Sequence, residues 1–94
     1  MKFVMIYHAG PAYDADLSVA EPGVLADHVK LMHNVMERGV MIMGGPFTDG
    51  AGGMSVLDLP SRADAMAIAD ADPAVSSGHF EVEVRAWDTS DRRT

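Results

Sequence analysis

The sequence contains no cysteine among its 94 residues, which excludes a disulfide framework and thiol chemistry. Positive charge is scarce, since 7 Lys and Arg stand against 14 Asp and Glu and give a formal net charge of −7. The chain therefore has no basic stripe for nucleic acid or for an anionic membrane surface. No apolar run approaches the roughly 20 residues of a membrane helix, and the first residues lack a signal peptide's apolar core. These absences predict a cytoplasmic protein with neither a nucleic-acid nor a membrane partner.

Apolar residues, by contrast, are plentiful for the length of the chain. We expect a single domain over residues 1–94, with a flexible polar tail at 88–94. Apolar side chains make up 48% of the sequence, although a domain of this size buries only about two-thirds of its unfolded surface. The surplus predicts a second buried surface, and a homodimer is the commonest way to provide one.

Hydrophobic periodicity predicts the element order β-α-β-β-α-β. The first helix should span residues 24–38 and stop at Gly39, and the second should begin after Ser61, a typical N-cap. Gly44, Gly45 and Pro46 should close the second strand. The predicted strands are 2–8, 40–43, 54–59 and 80–87.

This order is that of the α+β ferredoxin-like fold, an antiparallel four-stranded sheet with two helices on one face. The first strand is apolar on both sides, with Phe3, Met5 and Tyr7 on one side and Val4 and Ile6 on the other. One face of the sheet would be uncovered in a monomer. Stacking two sheets face to face, as in a dimeric α+β barrel, would bury it.

An ionisable ring lies on the apolar face of the first predicted helix. At about 100° per residue, His28 falls on the stripe that contains Leu25, Val29 and Met32. A buried imidazole needs partners for its ring nitrogens, and Asp72 at the end of the second helix is the nearest candidate in sequence order. Taken alone, the residues fit either a His–Asp pair for proton transfer or a hydrogen-bonded core histidine beside an Asp-Pro turn.

Three features together resemble the YciI-like, or YCII, family: His28 on the first helix, Gly45-Pro46 after the second strand, and ADADPAVSSGHFEVEVRAW at 69–87. The resemblance implies a dimeric α+β barrel similar to muconolactone isomerase. It also implies an active site that pairs a helix histidine with the aspartate of the Asp-Pro motif, here His28 and Asp72. Some members of the family are dehydrochlorinases or related lyases that act on chlorinated hydroxyquinol rings.

The sequence departs from the family pattern at several positions. Ile68 stands where many members have an aromatic residue, and Ala86 replaces a proline. The region before His28 lacks the arginine often found there. These departures affect the expected substrate more than the expected fold.

These observations predict a cofactor-free enzyme in which His28, oriented by Asp72, moves a proton on a small cyclic or aromatic ligand. The reaction would be of the lyase or isomerase type. The alternative is a non-catalytic ligand-binding or protein-interaction domain on the same dimeric frame. A deep pocket beside His28, and contact between Asp72 and its ring, would favour the enzyme.

Four further residues are candidates for substrate binding. Gly45 and Pro46 could let the backbone approach a ligand closely, although turn formation is their ordinary role. Ser55 could donate a hydrogen bond into a pocket, although serine is also a common strand residue. His8, at the end of the first strand, is the fourth candidate.

We expect no metal site. The histidines show no convincing ligand spacing, and His33 lies well round the helix from His28, so one ion between them is not expected. The roles of His33 and His79 are left open by the sequence.

Overall fold

The first strand lies at the centre of a four-stranded antiparallel sheet in the computed structural model, which describes residues 1–90. The elements in chain order are β1 (Lys2–Ala9), α1 (Val24–Glu37), β2 (Met41–Pro46), β3 (Gly53–Asp58), α2 (Arg62–Ala71), α3 (Pro73–Ser76) and β4 (Phe80–Trp87). Of the predicted tail at 88–94, residues 91–94 lie outside the described residues.

The spatial order of the strands is β2-β3-β1-β4, with every neighbouring pair antiparallel. The helices cover one face of the sheet, and Phe3, Met5 and Tyr7 are buried beneath them. Side chains alternate between the two faces of a strand, so Val4 and Ile6 point to the opposite face. The predicted ferredoxin-like α+β fold is confirmed.

Helix α1 ends where the glycine signal predicts. Gly39 adopts a positive φ of 75°, its N–H donates to the carbonyl of Met36 at 3.0 Å, and the N–H of Val40 donates to Val35 at 3.1 Å. This pair of hydrogen bonds is a Schellman motif. It satisfies carbonyls at the helix end and turns the chain into β2.

Strand β2 extends further than the sequence predicts. Gly44, Gly45 and Pro46 pair with β3 instead of closing the strand. A Cβ atom at Gly44 would lie 3.0 Å from the Cβ of Ser55, and one at Gly53 would lie 2.5 Å from the carbonyl oxygen of Gly45. The glycines therefore allow β2 and β3 to approach closely. Glycines required by such a tertiary contact look the same in the sequence as glycines required by a turn.

Asp72 joins the two helices that follow β3. Helix α2 begins at its predicted N-cap, where the hydroxyl of Ser61 accepts from the N–H of Asp64. Asp72 then closes α2 and caps α3, its Oδ1 accepting from the N–H of Ala74 at 2.9 Å. Because α3 packs against α1, this cap brings the Asp72 carboxyl group beside the first helix.

The sheet face opposite the helices has an apolar centre with a charged margin. By strand register, the apolar side chains on this face are Val4, Ile6, Met43, Met54 and Val56. Lys2 and Asp58 form an ion pair at its edge, 2.9 Å apart.

Among residues 1–90, no helix is long and apolar enough to cross a membrane.

We predict that Gly39→Ala lowers the free energy of unfolding by about 1–2 kcal/mol, because a side chain disfavours the left-handed conformation. Gly50→Ala is the matched control, since a Cβ there meets no atom within 4 Å and the backbone φ is not positive. Urea denaturation at one protein concentration measures both. Equal losses for the two variants would contradict a conformational role for Gly39.

Candidate active site

His28 and Asp72 form a hydrogen-bonded pair. The Nδ1 atom of His28 lies 2.5 Å from Oδ2 of Asp72. The Asp72 side chain is 0% exposed and that of His28 is 14% exposed. The structure therefore brings the two predicted site residues together across 44 positions of sequence; their catalytic role stays a prediction.

The carboxylate fixes which nitrogen of the ring carries the proton. An ionised carboxylate only accepts hydrogen bonds, so Nδ1 of His28 donates to Asp72. In the neutral ring, Nε2 is then the unprotonated nitrogen. Nε2 has no hydrogen-bond partner in the described part of the chain, and it is available as a base.

Two aromatic rings hold the imidazole in place. Tyr7 and Phe80 contact it edge-on, with ring centroids at 5.1 Å and 5.4 Å from that of His28. Burial, and secondly the negative charge of Asp72, raise the pKa of the Tyr7 hydroxyl. The hydroxyl therefore stays protonated at neutral pH, and it contacts the sulfur of Met32 at 3.8 Å.

A cavity of about 490 Å³ opens beside His28, which is within the usual range for small-molecule sites. Its walls come from the loop after β1, from the apolar side of α1 and from β2, β3 and the start of β4. Three predicted binding residues, Gly45, Pro46 and Ser55, line it, and so does His33. Ser55 is 3% exposed, and its hydroxyl has no hydrogen-bond partner within residues 1–90.

His8 does not belong to this cavity, which corrects its assignment as a binding residue. Tyr7 points into the core, so the next side chain points to the opposite face of the sheet. There His8 is exposed and its Nε2 lies 3.3 Å from Glu83. Strand alternation alone would have been sufficient to place His8 away from a pocket under the helices.

Sequence reasoning missed the contribution of the loop after β1. Tyr13 and Asp14 line the cavity, together with His79 at the end of the α3–β4 connection. Residues 14 and 79 are joined by a hydrogen bond across 65 positions. No local pattern predicts such a contact; the only signal in the sequence was an aromatic residue in an otherwise irregular loop.

Within residues 1–90, no group of three or more His, Asp or Glu side chains is placed to hold a metal ion.

Several solved structures share this fold, and two of them are enzymes of known reaction. One is muconolactone isomerase, with a TM-score of 0.70 and 19% identity over 100% of this chain and 97% of that one. The other is the 5-chloro-2-hydroxyhydroquinone dehydrochlorinase TftG of Burkholderia phenoliruptrix AC1100, in complex with 2,5-dihydroxybenzoquinone, with a TM-score of 0.70 and 18% identity over 94% of each chain. The protein is thus an α+β domain with the muconolactone isomerase type of fold.

Sequence comparison narrows this class to a family. The YCII-related domain matches residues 1–88. The uncharacterised protein YjpA of Bacillus subtilis (strain 168) is 33% identical over 63 residues, which is 67% of this chain and 74% of YjpA. The chain belongs to the YCII-related family, and the resemblance found in its motifs is confirmed.

We predict that Asp72→Asn changes the tautomer of His28. A neutral amide accepts a hydrogen bond more weakly than a carboxylate, so the proton should no longer be confined to Nδ1. The Asn side chain can still cap α3. Nitrogen-15 NMR of the histidine rings, at a pH where they are neutral, measures the proton position directly.

Asp70→Asn is the control for this measurement, because Asp70 is an exposed residue near the same helix end. It should leave the His28 spectrum unchanged. An unaltered His28 tautomer in Asp72→Asn would show that the carboxylate does not set the protonation of the ring.

Proposed function

We propose that this protein is a cofactor-free enzyme that transfers a proton on a small cyclic or aromatic substrate, in a lyase or isomerase reaction. The observation that carries the proposal is the His28 ring. One of its nitrogens is held by a buried carboxylate, and the other, on the wall of a cavity of about 490 Å³, has no partner among the described residues. That arrangement supplies a base of defined orientation next to a space for a small molecule.

In this mechanism His28 removes a proton from the substrate through Nε2 and becomes an imidazolium. The Asp72 carboxylate stabilises the positive charge and keeps the ring from rotating. The ring then returns the proton to another atom of the substrate, which completes an isomerisation, or to a departing group, which completes an elimination. A positioned acid–base group of this kind contributes about 10²- to 10⁴-fold in rate.

The residues around the cavity support a compact ring as the substrate. Its lining is mostly apolar and aromatic, with methionines that can adapt to a flat ligand. Gly45 and Pro46 form a backbone wall, and the buried hydroxyl of Ser55 beside it has no hydrogen-bond partner within residues 1–90. The two neighbours in fold are an isomerase and a dehydrochlorinase, which are the two reaction types that one base of this kind serves.

We also propose that the protein is a homodimer joined through the open face of the sheet. That face presents the apolar side chains of β1, β2 and β3, and no helix of residues 1–90 covers it. A second copy is the simplest partner, because a two-fold axis lets one surface cover itself. Two sheets stacked in this way form a dimeric α+β barrel.

We predict a mass of about twice the 10.0 kDa of one chain by light scattering at micromolar concentration. Met43→Glu should reduce it to the monomer, because a charge would enter an apolar interface. Met66→Glu is the matched control, since Met66 is also exposed but lies on α2. A monomer mass for the unmodified protein would contradict the barrel.

We predict that the protein catalyses exchange of carbon-bound hydrogen for deuterium in D₂O with at least one member of a panel of small cyclic ketones, unsaturated lactones and hydroxylated aromatic rings. Proton NMR follows the loss of the substrate signal. His28→Gln should slow exchange by about 10²-fold or more, because the amide is not a base. Asp72→Asn should slow it, and Asp70→Asn should not.

Binding of panel members without exchange would overturn the enzymatic proposal. The protein would then be a ligand-binding domain on the same fold. Exchange that survives in His28→Gln would instead place the base elsewhere in the cavity.

A further inference from the structure

A second histidine in the cavity wall has no part in the mechanism above. His79 is 3% exposed and lies between Gly78 and the first residue of β4. Its backbone is fixed to the loop after β1, because its carbonyl accepts from the N–H of Gly10 at 2.9 Å and that of Gly78 accepts from Ala12 at 2.9 Å. The ring is therefore presented to the cavity from a rigid backbone.

The neighbours of this ring determine where its proton is. The backbone N–H of Asp14 donates to Nδ1 of His79 at 3.2 Å, so Nδ1 is an acceptor and carries no proton in this state. The neutral ring must then carry its proton on Nε2. Tyr13 stacks on the ring with centroids 4.8 Å apart and planes 27° apart, and Phe80 packs at 4.6 Å, so the plane of the ring is fixed as well.

The Nε2–H group of His79 has no hydrogen-bond partner within residues 1–90. The group is not one of the buried polar atoms that lack a partner, so it is accessible from the space beside this residue, which is the cavity. We propose that His79 is a ligand-binding residue that donates its Nε2–H to an oxygen of the substrate. The inference rests on the proposed function in one respect, since it concerns a ligand of the same cavity.

The two histidines then have opposite tautomers and complementary roles. His28 presents an unprotonated Nε2, which accepts a proton, and His79 presents a protonated Nε2, which donates a hydrogen bond. This pairing suits a carbonyl compound with an acidic neighbouring C–H bond. His28 takes the proton, the C–H electron pair forms the new C=C bond, and the C=O electron pair moves to the oxygen that His79 stabilises.

Charge in the cavity further restricts the ligand. None of the described residues that line it is Lys or Arg, and Asp14 is the one acidic side chain among them. A ligand with a permanent negative charge would have no cation to balance it. The substrate class is therefore an uncharged ring that carries a carbonyl oxygen.

Two substitutions separate a binding role of His79 from a purely structural one. His79→Gln keeps an N–H donor near the position of Nε2 but has no acceptor at the position of Nδ1. His79→Asn keeps an acceptor near Nδ1, and with it the bond from Asp14, but loses the donor at Nε2. A residue that only holds the loop would tolerate Asn better than Gln; a ligand donor would tolerate Gln better than Asn.

The probes are indanone and indane, which have the same ring frame and differ in the carbonyl oxygen. Ligand-observed NMR should show that the unmodified protein binds indanone about fivefold more tightly than indane, the effect of one neutral hydrogen bond. His79→Gln should keep this preference and His79→Asn should lose it. Retention of the preference in His79→Asn, or its loss in His79→Gln alone, would overturn the assignment.

A second measurement needs no variant. In nitrogen-15 NMR of the unmodified protein, indanone should shift the Nε2–H signal of His79 and indane should not; an unmoved signal under saturating indanone would overturn the proposal. Neither measurement depends on turnover. Failure of hydrogen exchange with a retained indanone preference would reject the enzyme and keep His79 as a binding residue.

Discussion

The Asp72 carboxylate is the group on which the rest of the site depends. It is wholly buried, and a buried charge is tolerated only when it is fully partnered. One oxygen accepts from the backbone of α3 and the other from the ring of His28. The same group therefore starts a helix, ties that helix to α1 and fixes the protonation of the ring. The local turn at Asp-Pro and the orientation of the His28 ring both follow from one buried carboxylate.

The two faces of the sheet differ in what they contact. The face under the helices provides the core and the cavity, with Tyr7 and Phe80 contacting the ring of His28. The opposite face has an apolar centre bordered by charge. Strand β1 contributes to both faces, because successive side chains along a strand point to opposite sides of the sheet. Substitutions on the open face therefore need not disturb the residues around His28.

Much of this arrangement could be predicted from the sequence, and the failures have physical reasons. Element order fixed the fold class, and helical periodicity placed His28 on the inner side of α1. Gly44, Gly45 and Pro46 were assigned to a turn because the close approach of β2 and β3, which requires glycine there, is a tertiary contact. The bond between Asp14 and His79 joins distant parts of the chain, and its residues lie in segments without periodicity. His8 was misassigned although the alternation of β1 was sufficient to exclude it.

The loop after β1 is held unevenly along its length. Its first part is hydrogen-bonded to residues 78 and 79, whereas the backbone bonds of residues 15–22 within the described chain are local, such as those from Leu17 to Asp14 and from Glu21 to Ser18. Leu17 and Val19 nevertheless form part of the cavity wall. Substitutions there alter the shape of the site without breaking a long-range backbone bond. This short segment can therefore change in sequence, and with it the shape of the cavity, at little cost in stability.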